Sequence, residues 1–164
     1  MKINEQLLEV KEYYGEGYRP LIDYKSWRVA VLRYCDELLP QNIAKMQRHD
    51  ETDEVFVLLQ GRCILFIGEG RDELTKILPQ EMEPQKFYNV RRSVWHTHTL
   101  SKDAIVLIVE NSDTALINSP EILLSEPQKK ELLAMTEAIW PRENKPYSKT
   151  FNLGEGVIKP SVST

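Results

Sequence analysis

The chain has little cysteine, no long apolar run and no basic tract, and each absence narrows what it can be. Its 164 residues include two cysteines, Cys35 and Cys63, with no Cys-x-x-Cys spacing. Such a pair reads as two structural thiols of a reducing compartment rather than a disulfide, and neither is assigned a catalytic role. Cys63 sits in the apolar run Cys63-Ile64-Leu65-Phe66-Ile67, where a small buried hydrophobe fits. The longest apolar runs, such as Ala104 to Val109, are strand-sized, far below the roughly 20 residues of a bilayer-spanning helix. The opening Met1-Lys2-Ile3-Asn4-Glu5-Gln6 carries an early acid and no stretch resembling a secretory signal. Cytoplasmic residence and no membrane partner are therefore expected. With 21 basic against 25 acidic side chains, the net charge is -4, and no basic run suggests a nucleic-acid surface. There is no internal repeat and no low-complexity tract.

What remains is an ordinary globular composition, 41% hydrophobic and 28% charged, of a length that suits one domain. Short apolar segments dominate. The first forty residues, with Gly15, Gly17 and Pro20, suggest turns and short strands; Ser26 to Cys35 is strand-like, and Pro40 ends that element. Glu54 to Leu59 and Cys63 to Ile67, joined by Gln60-Gly61, read as a β-hairpin. Leu74 to Leu78, ending before Pro79, Phe87 to Val90 and Ala104 to Val109 supply further strands. Strands this closely spaced argue for a sandwich or barrel. One helix is expected over Gln128 to Trp140, with Ser125 as N-cap, Pro127 in its first turn and Pro141 as its stop. Its apolar stripe suits core or subunit contact. Arg142 to Thr164, rich in Pro, Gly, Ser and Lys, is expected to run along the surface or fray.

The three histidines fall in two short segments. In Gln47-Arg48-His49-Asp50-Glu51-Thr52-Asp53-Glu54, Gln47 and His49 share a face if extended, and Glu54 opens the next strand after an acidic turn. In Val94-Trp95-His96-Thr97-His98, His96 and His98 share a face, and Trp95 points the other way, toward core. Two imidazoles and a carboxylate brought together suit Zn, Fe, Ni or Mn. The same groups could instead satisfy one another as a hydrogen-bonded pair of His49 and Glu54 in a metal-free pocket.

Here the chain resembles the cupin superfamily. The first cupin motif has His-x-His, then a Glu, then a Gly after six residues; His49, Glu54 and Gly61 match, and Gln47 stands where the first His belongs. Of the second motif, Pro-x-Gly-x-x-His with a later Asn, His96 matches, while Arg91, Ser93 and Leu100 replace the Pro, Gly and Asn. The resemblance runs from about Asn42 to Glu110. It implies a mainly β protein: a single-domain jelly-roll barrel with a C-terminal α-helix. It divides the chain into N-terminal strands over 1–40 that complete the barrel or a dimer contact, a core barrel over 41–118, and a helix and tail over 119–164. It also implies a divalent metal held by His49, Glu54 and His96, with Gln47 in the fourth place and His98 lining the pocket.

The implied function is binding of a small polar metabolite in the barrel. One form is a metal-dependent enzyme of dioxygenase, isomerase or lyase type, with Glu54 as ligand or, if unligated, general base. The alternative is a non-catalytic binding or sensing module. A storage role fits poorly, because storage cupins are usually two-barrel chains. Single-domain cupins resemble one another in forming homodimers, so a homodimer is expected, with the first forty residues and the 128–140 helix as candidate contacts.

Overall fold

Apolar residues recurring at every second position resolve into ten strands: β1 (Gly17–Tyr24), β2 (Trp27–Arg33), β3 (Lys45–Gln47), β4 (Glu54–Gln60), β5 (Cys63–Glu69), β6 (Lys76–Glu81), β7 (Phe87–Val90), β8 (Trp95–Leu100), β9 (Ile105–Asn111) and β10 (Glu121–Leu123). Among the described residues one α-helix, α1 (Glu126–Ile139), follows them, and a 3-10 turn at Asp36–Leu38 lies between β2 and β3. The computed structural model describes residues 3–141, so the expectation for Arg142 to Thr164 lies outside the described residues.

The strands form two five-stranded antiparallel sheets, ordered β1-β2-β9-β4-β7 and β10-β3-β8-β5-β6. The pairing has a simple logic. β5 pairs with β6, β4 with β7, β3 with β8 and β2 with β9. One long ribbon, closed at its tip by the β5–β6 hairpin, is thus rolled into two facing sheets, which is the jelly roll. The lateral ladders β4–β9 and β5–β8 fuse its turns. β1 and β10 extend the two edges.

This topology corrects two sequence readings. The runs beginning at Glu54 and Cys63 do not form a hairpin with each other, because β4 and β5 belong to opposite sheets. Gln60-Gly61-Arg62 is a corner between sheets. Gly61 has φ +73°, and a Cβ there would sit 2.7 Å from Ala104 Cα and 2.7 Å from Ser101 Oγ. The strand placed over Leu74 to Leu78 instead spans Lys76–Glu81 and runs through Pro79. β1 likewise runs through Pro20, with a register shift between Pro20 and Ile22. Both are edge strands, where a missing N–H interrupts no ladder on the outer side.

Two apolar cores result. The inner one, between the sheets, gathers Ala30, Leu32, Phe56, Leu58, Leu65 and Ile108 among others. The second lies on the outer face of β3, β8, β5 and β6, where Met46, Ile64, Phe66, Ile77 and Trp95 meet Leu132 of α1. Each large side chain so buried contributes about 1.5–3 kcal/mol. The expected helix starts at Glu126, two residues earlier than the apolar pattern indicated, with the Ser125–Gln128 capping box and Pro127 in its first turn. Its far end is clamped to the sheet: Trp140 Nε1 and Arg62 Nη2 both donate to Glu81 Oε1, at 2.9 and 2.7 Å.

Replacing Gly61 by Ala forces a side chain into the Ala104 backbone at an unfavourable φ. The variant is expected to lose about 2–4 kcal/mol, read as a lower urea midpoint at unchanged slope. A wild-type midpoint would show that the corner tolerates a side chain.

Candidate functional site

Strand alternation sets which side chains face the barrel interior. On β4, Glu54, Phe56 and Leu58 point inward; on β8, His96, His98 and Leu100 do so, while Trp95 turns outward into the second core. His49 lies just beyond β3, yet the ladder continues past that strand's end. Arg48 N donates to Pro120 O at 3.1 Å and Asp50 N to Asn118 O at 2.8 Å. Extending the register that pairs Gln47 with Glu121 by two residues sets Ser119 opposite His49. The β7–β8 loop is fastened from the same side: Ser93 N donates to His49 O, and the Asp53 carboxylate accepts from Arg92 N and Asn89 Nδ2. Ser93, standing where the cupin motif has glycine, takes the left-handed conformation at φ 62°.

These elements bring His49, Glu54 and His96 together, with one ligand-type atom from each lying within 4.8 Å of the others, and all three buried. His49 Nε2 is 3.1 Å and His96 Nε2 2.8 Å from Glu54 Oε2. The far side of each ring shows where its proton resides. His96 Nδ1 is 3.0 Å from Val94 O, and a carbonyl only accepts, so Nδ1 carries the proton. His49 Nδ1 is 2.7 Å from Ser119 Oγ, whose own hydroxyl donates to Asn118 Oδ1; it too must donate. With Nδ1 donating outward, a neutral ring turns its Nε2 lone pair toward the carboxylate, and only an imidazolium or a metal-bound ring suits that contact. The His96 Nε2–Glu54 contact lacks hydrogen-bond alignment. Three electron-rich atoms converge, and a cation is what reconciles them. Outer-side hydrogen bonds that fix the tautomer are also how metal-ligating histidines are held, so the donor set fits a divalent transition metal.

In the metal-free molecule protons and charges do that work. Burial pushes the Glu54 carboxyl up, but the His49 hydrogen bond and the close approach of both imidazoles hold it down at about 2, so it stays ionised. Burial pulls His49 down, and the Glu54, Glu110 and Asp50 carboxylates outweigh it and raise it. His98, one step deeper than His96, is driven down to about 4 by burial and stays neutral. Its Nδ1 is buried without a hydrogen-bond partner among the described residues. Phe56 spaces the two rings, with its centroid 5.9 Å from each.

The sequence reading missed Glu110 and Tyr18. Glu110 closes the inward row Val106, Ile108, Glu110 of β9 and is buried. Its Oε1 accepts from the Tyr18 hydroxyl and its Oε2 is 4.0 Å from His49 Nε2. Burial raises its carboxyl, and Glu54 reinforces the shift. An acid continuing an apolar period-two row is the signal that marks it. Gln47 faces His96 across the β3–β8 ladder and lines the same cavity of about 760 Å³, as do His98, Tyr18 and Glu110.

Topology defines a jelly roll whose interior holds the His49, Glu54 and His96 cluster. No family model matches the chain, and no curated protein matches it in sequence. Similar solved structures include a cupin-2 domain containing protein from Shewanella frigidimarina, with 14% identity over 68% of this chain and 93% of that one and a TM-score of 0.42. A Streptomyces Pac13 variant with uridine has 6% identity over 74% of this chain and 88% of that one, at a TM-score of 0.48. KdgF from Halomonas sp. has 9% identity over 61% and 81%, at 0.40. Among the described residues no helix is long and apolar enough to cross a membrane.

Ser119 is the testable support of His49. Ser119→Ala leaves a buried imidazole N–H without its acceptor and is expected to cost about 1–3 kcal/mol. The His49 Nδ1 proton, visible by NMR in the wild type, would exchange faster; an unchanged resonance and melting temperature would refute the role.

Proposed function

We propose that the chain binds a divalent transition metal through His49, Glu54 and His96, and a small polar metabolite in the cavity beside it. The observation that carries this reading is the convergence of two Nε2 atoms on one buried Glu54 oxygen while both Nδ1 atoms face hydrogen-bond partners elsewhere. The donor set suits Zn, Fe, Ni or Mn. Bound there, the metal supplies Lewis acidity toward a ligand oxygen.

The rest of the chemistry falls to the chain. Glu54 holds negative charge at the centre of the site and positions both rings. Tyr18 and Glu110 present a hydroxyl and a carboxyl to the cavity, able to orient a polar ligand or exchange a proton with it. His98 offers a neutral imidazole below. The inner apolar core beneath Phe56 keeps water from entering from the far end. An enzyme of dioxygenase, isomerase or lyase type is the form this supports. Gln47 favours a second form, a non-catalytic binding or sensing module, because it stands where the cupin motif has a ligating imidazole.

Elemental analysis of purified protein tests the metal reading. The wild type is expected to carry metal approaching one equivalent, and a His49→Ala, His96→Ala double variant almost none. Equal, near-zero content in both would sink it.

We also infer a homodimer. Leu7, Val10 and Tyr14 of the N-terminal segment are 82%, 73% and 80% exposed, and Phe87 on the outer face of its sheet is 78% exposed. Apolar surface of this kind calls for a cover, and a second copy supplies one. Light scattering is expected to give twice the chain mass of 19.1 kDa; a monomer at high concentration would overturn the inference.

A further inference from the structure

Glu110 and Glu54 stand in one inward-facing row. The β4–β9 register pairs Val55 with Val109, and one more step sets Glu54 opposite Glu110. Directly opposed residues in an antiparallel pair have Cβ atoms about 4.5–5.5 Å apart, and like charges there destabilise the sheet. Both carboxylates are buried, and both face the same atom: Glu54 Oε2 is 3.1 Å and Glu110 Oε2 4.0 Å from His49 Nε2. The cation beside Glu110 is already engaged. Arg28 lies opposite it on β2, but its guanidinium bonds Asp23, with Nε 2.8 Å from Oδ1, and interacts with Tyr18. Tyr18 holds Oε1 of Glu110, Thr114 also hydrogen-bonds its carboxyl, and Oε2 is turned toward His49. A buried pair of opposed carboxylates, with its neighbouring arginine committed elsewhere, is a site for a doubly charged cation.

We propose that Glu110 supplies a fourth protein ligand to the metal centre, so that the donors are His49, Glu54, His96 and Glu110, with Gln47 outside the ligand set. The assignment rests on the metal reading above and sharpens it. Two donors each about 2.0–2.2 Å from a common ion stand at most about 4.4 Å apart. The Glu110–His49 separation of 4.0 Å meets that limit. The compact group is His49, Glu54 and His96, and Glu110 borders it, so ligation draws its carboxylate inward by side-chain rotation. The electrostatic outcome differs from that of a Gln47 ligand. Two carboxylates and two neutral imidazoles neutralise a divalent ion fully, whereas Glu54 with an amide leaves one positive charge in a buried site. Gln47, facing His96 across the ladder at the cavity wall, is then free to hydrogen-bond the bound metabolite.

The test is zinc binding by chelator-stripped full-length protein, measured by competition with a chromophoric chelator for wild type, Glu110→Gln and Gln47→Ala. The Glu110→Gln variant is expected to bind zinc at least about tenfold more weakly, with Gln47→Ala within about threefold of wild type. Metal-free Glu110→Gln is expected to melt at or above metal-free wild type, since one of two opposed carboxylates is gone, and to gain less melting temperature from zinc. Wild-type zinc affinity in Glu110→Gln, or a large drop in its metal-free melting temperature, overturns the assignment and leaves the metal reading intact. Failure of the wild type to take up zinc, iron, nickel or manganese overturns both. Cobalt substitution gives a readout independent of the Glu110 variant. Gln47→Ala is expected to keep the wild-type visible spectrum, and a changed spectrum would put Gln47 among the ligands and overturn the proposal.

Discussion

The structure is organised around a carboxylate removed from water. Glu54 is only 4% exposed, and an ionised carboxylate in such a place is costly unless its surroundings replace the lost hydration. The fold draws that replacement from separate stretches of chain: His96 from the opposite sheet, and His49 from the segment that continues β3. Each ring is itself held from behind, by Val94 O and by Ser119 Oγ. The chain of dependence runs outward from there. Ser119 faces His49 only because residues 118–120 extend the ladder of β10 with β3, and Val94 is placed by a loop pinned to Asp53.

The second core explains how a six-residue strand can aim His96 so closely. Trp95 and His96 are adjacent and face opposite ways. Trp95 packs under α1, with the Arg48 guanidinium 4.5 Å from its ring centroid and its Nε1 donating to Arg71 O. A strand anchored on its outer face by a large ring has little freedom to roll, so the imidazole on its inner face inherits that fixity. The helix does not touch the site. It packs against β6 and closes the core in which Trp95 is buried.

Much of this was legible in the sequence because it obeys local periodicity. His49, Glu54 and Gly61 at cupin spacing, the Trp95-His96 alternation, and the Ser125–Pro127–Pro141 punctuation of the helix all encode placement within a few residues. What was illegible depends on pairing between distant strands. The Gln60-Gly61 turn looks like a hairpin because two apolar runs flank it; that they enter different sheets is decided by β9 and β8, some forty residues on. Pro79 and Pro20 look like strand stops, and are harmless only because tertiary structure puts their strands at sheet edges. Glu110 was passed over at the end of an apolar run, since its partners Tyr18 and His49 come from 92 and 61 residues earlier in the chain. Gln47 drew the fourth-ligand reading by motif position, and the place of Glu110 beside Glu54 emerges only once β4 and β9 lie side by side.

Those two edge prolines have a further meaning. A sheet edge is an open row of donors and acceptors that another chain can read as an invitation to add a strand. Pro20 interrupts that row on one sheet and Pro79 on the other, each near the middle of its strand. An incoming strand would find the zipper missing a tooth at either place. The same prolines that obscure these strands in the sequence thus stand as terminators of sheet growth at the β1 and β6 edges.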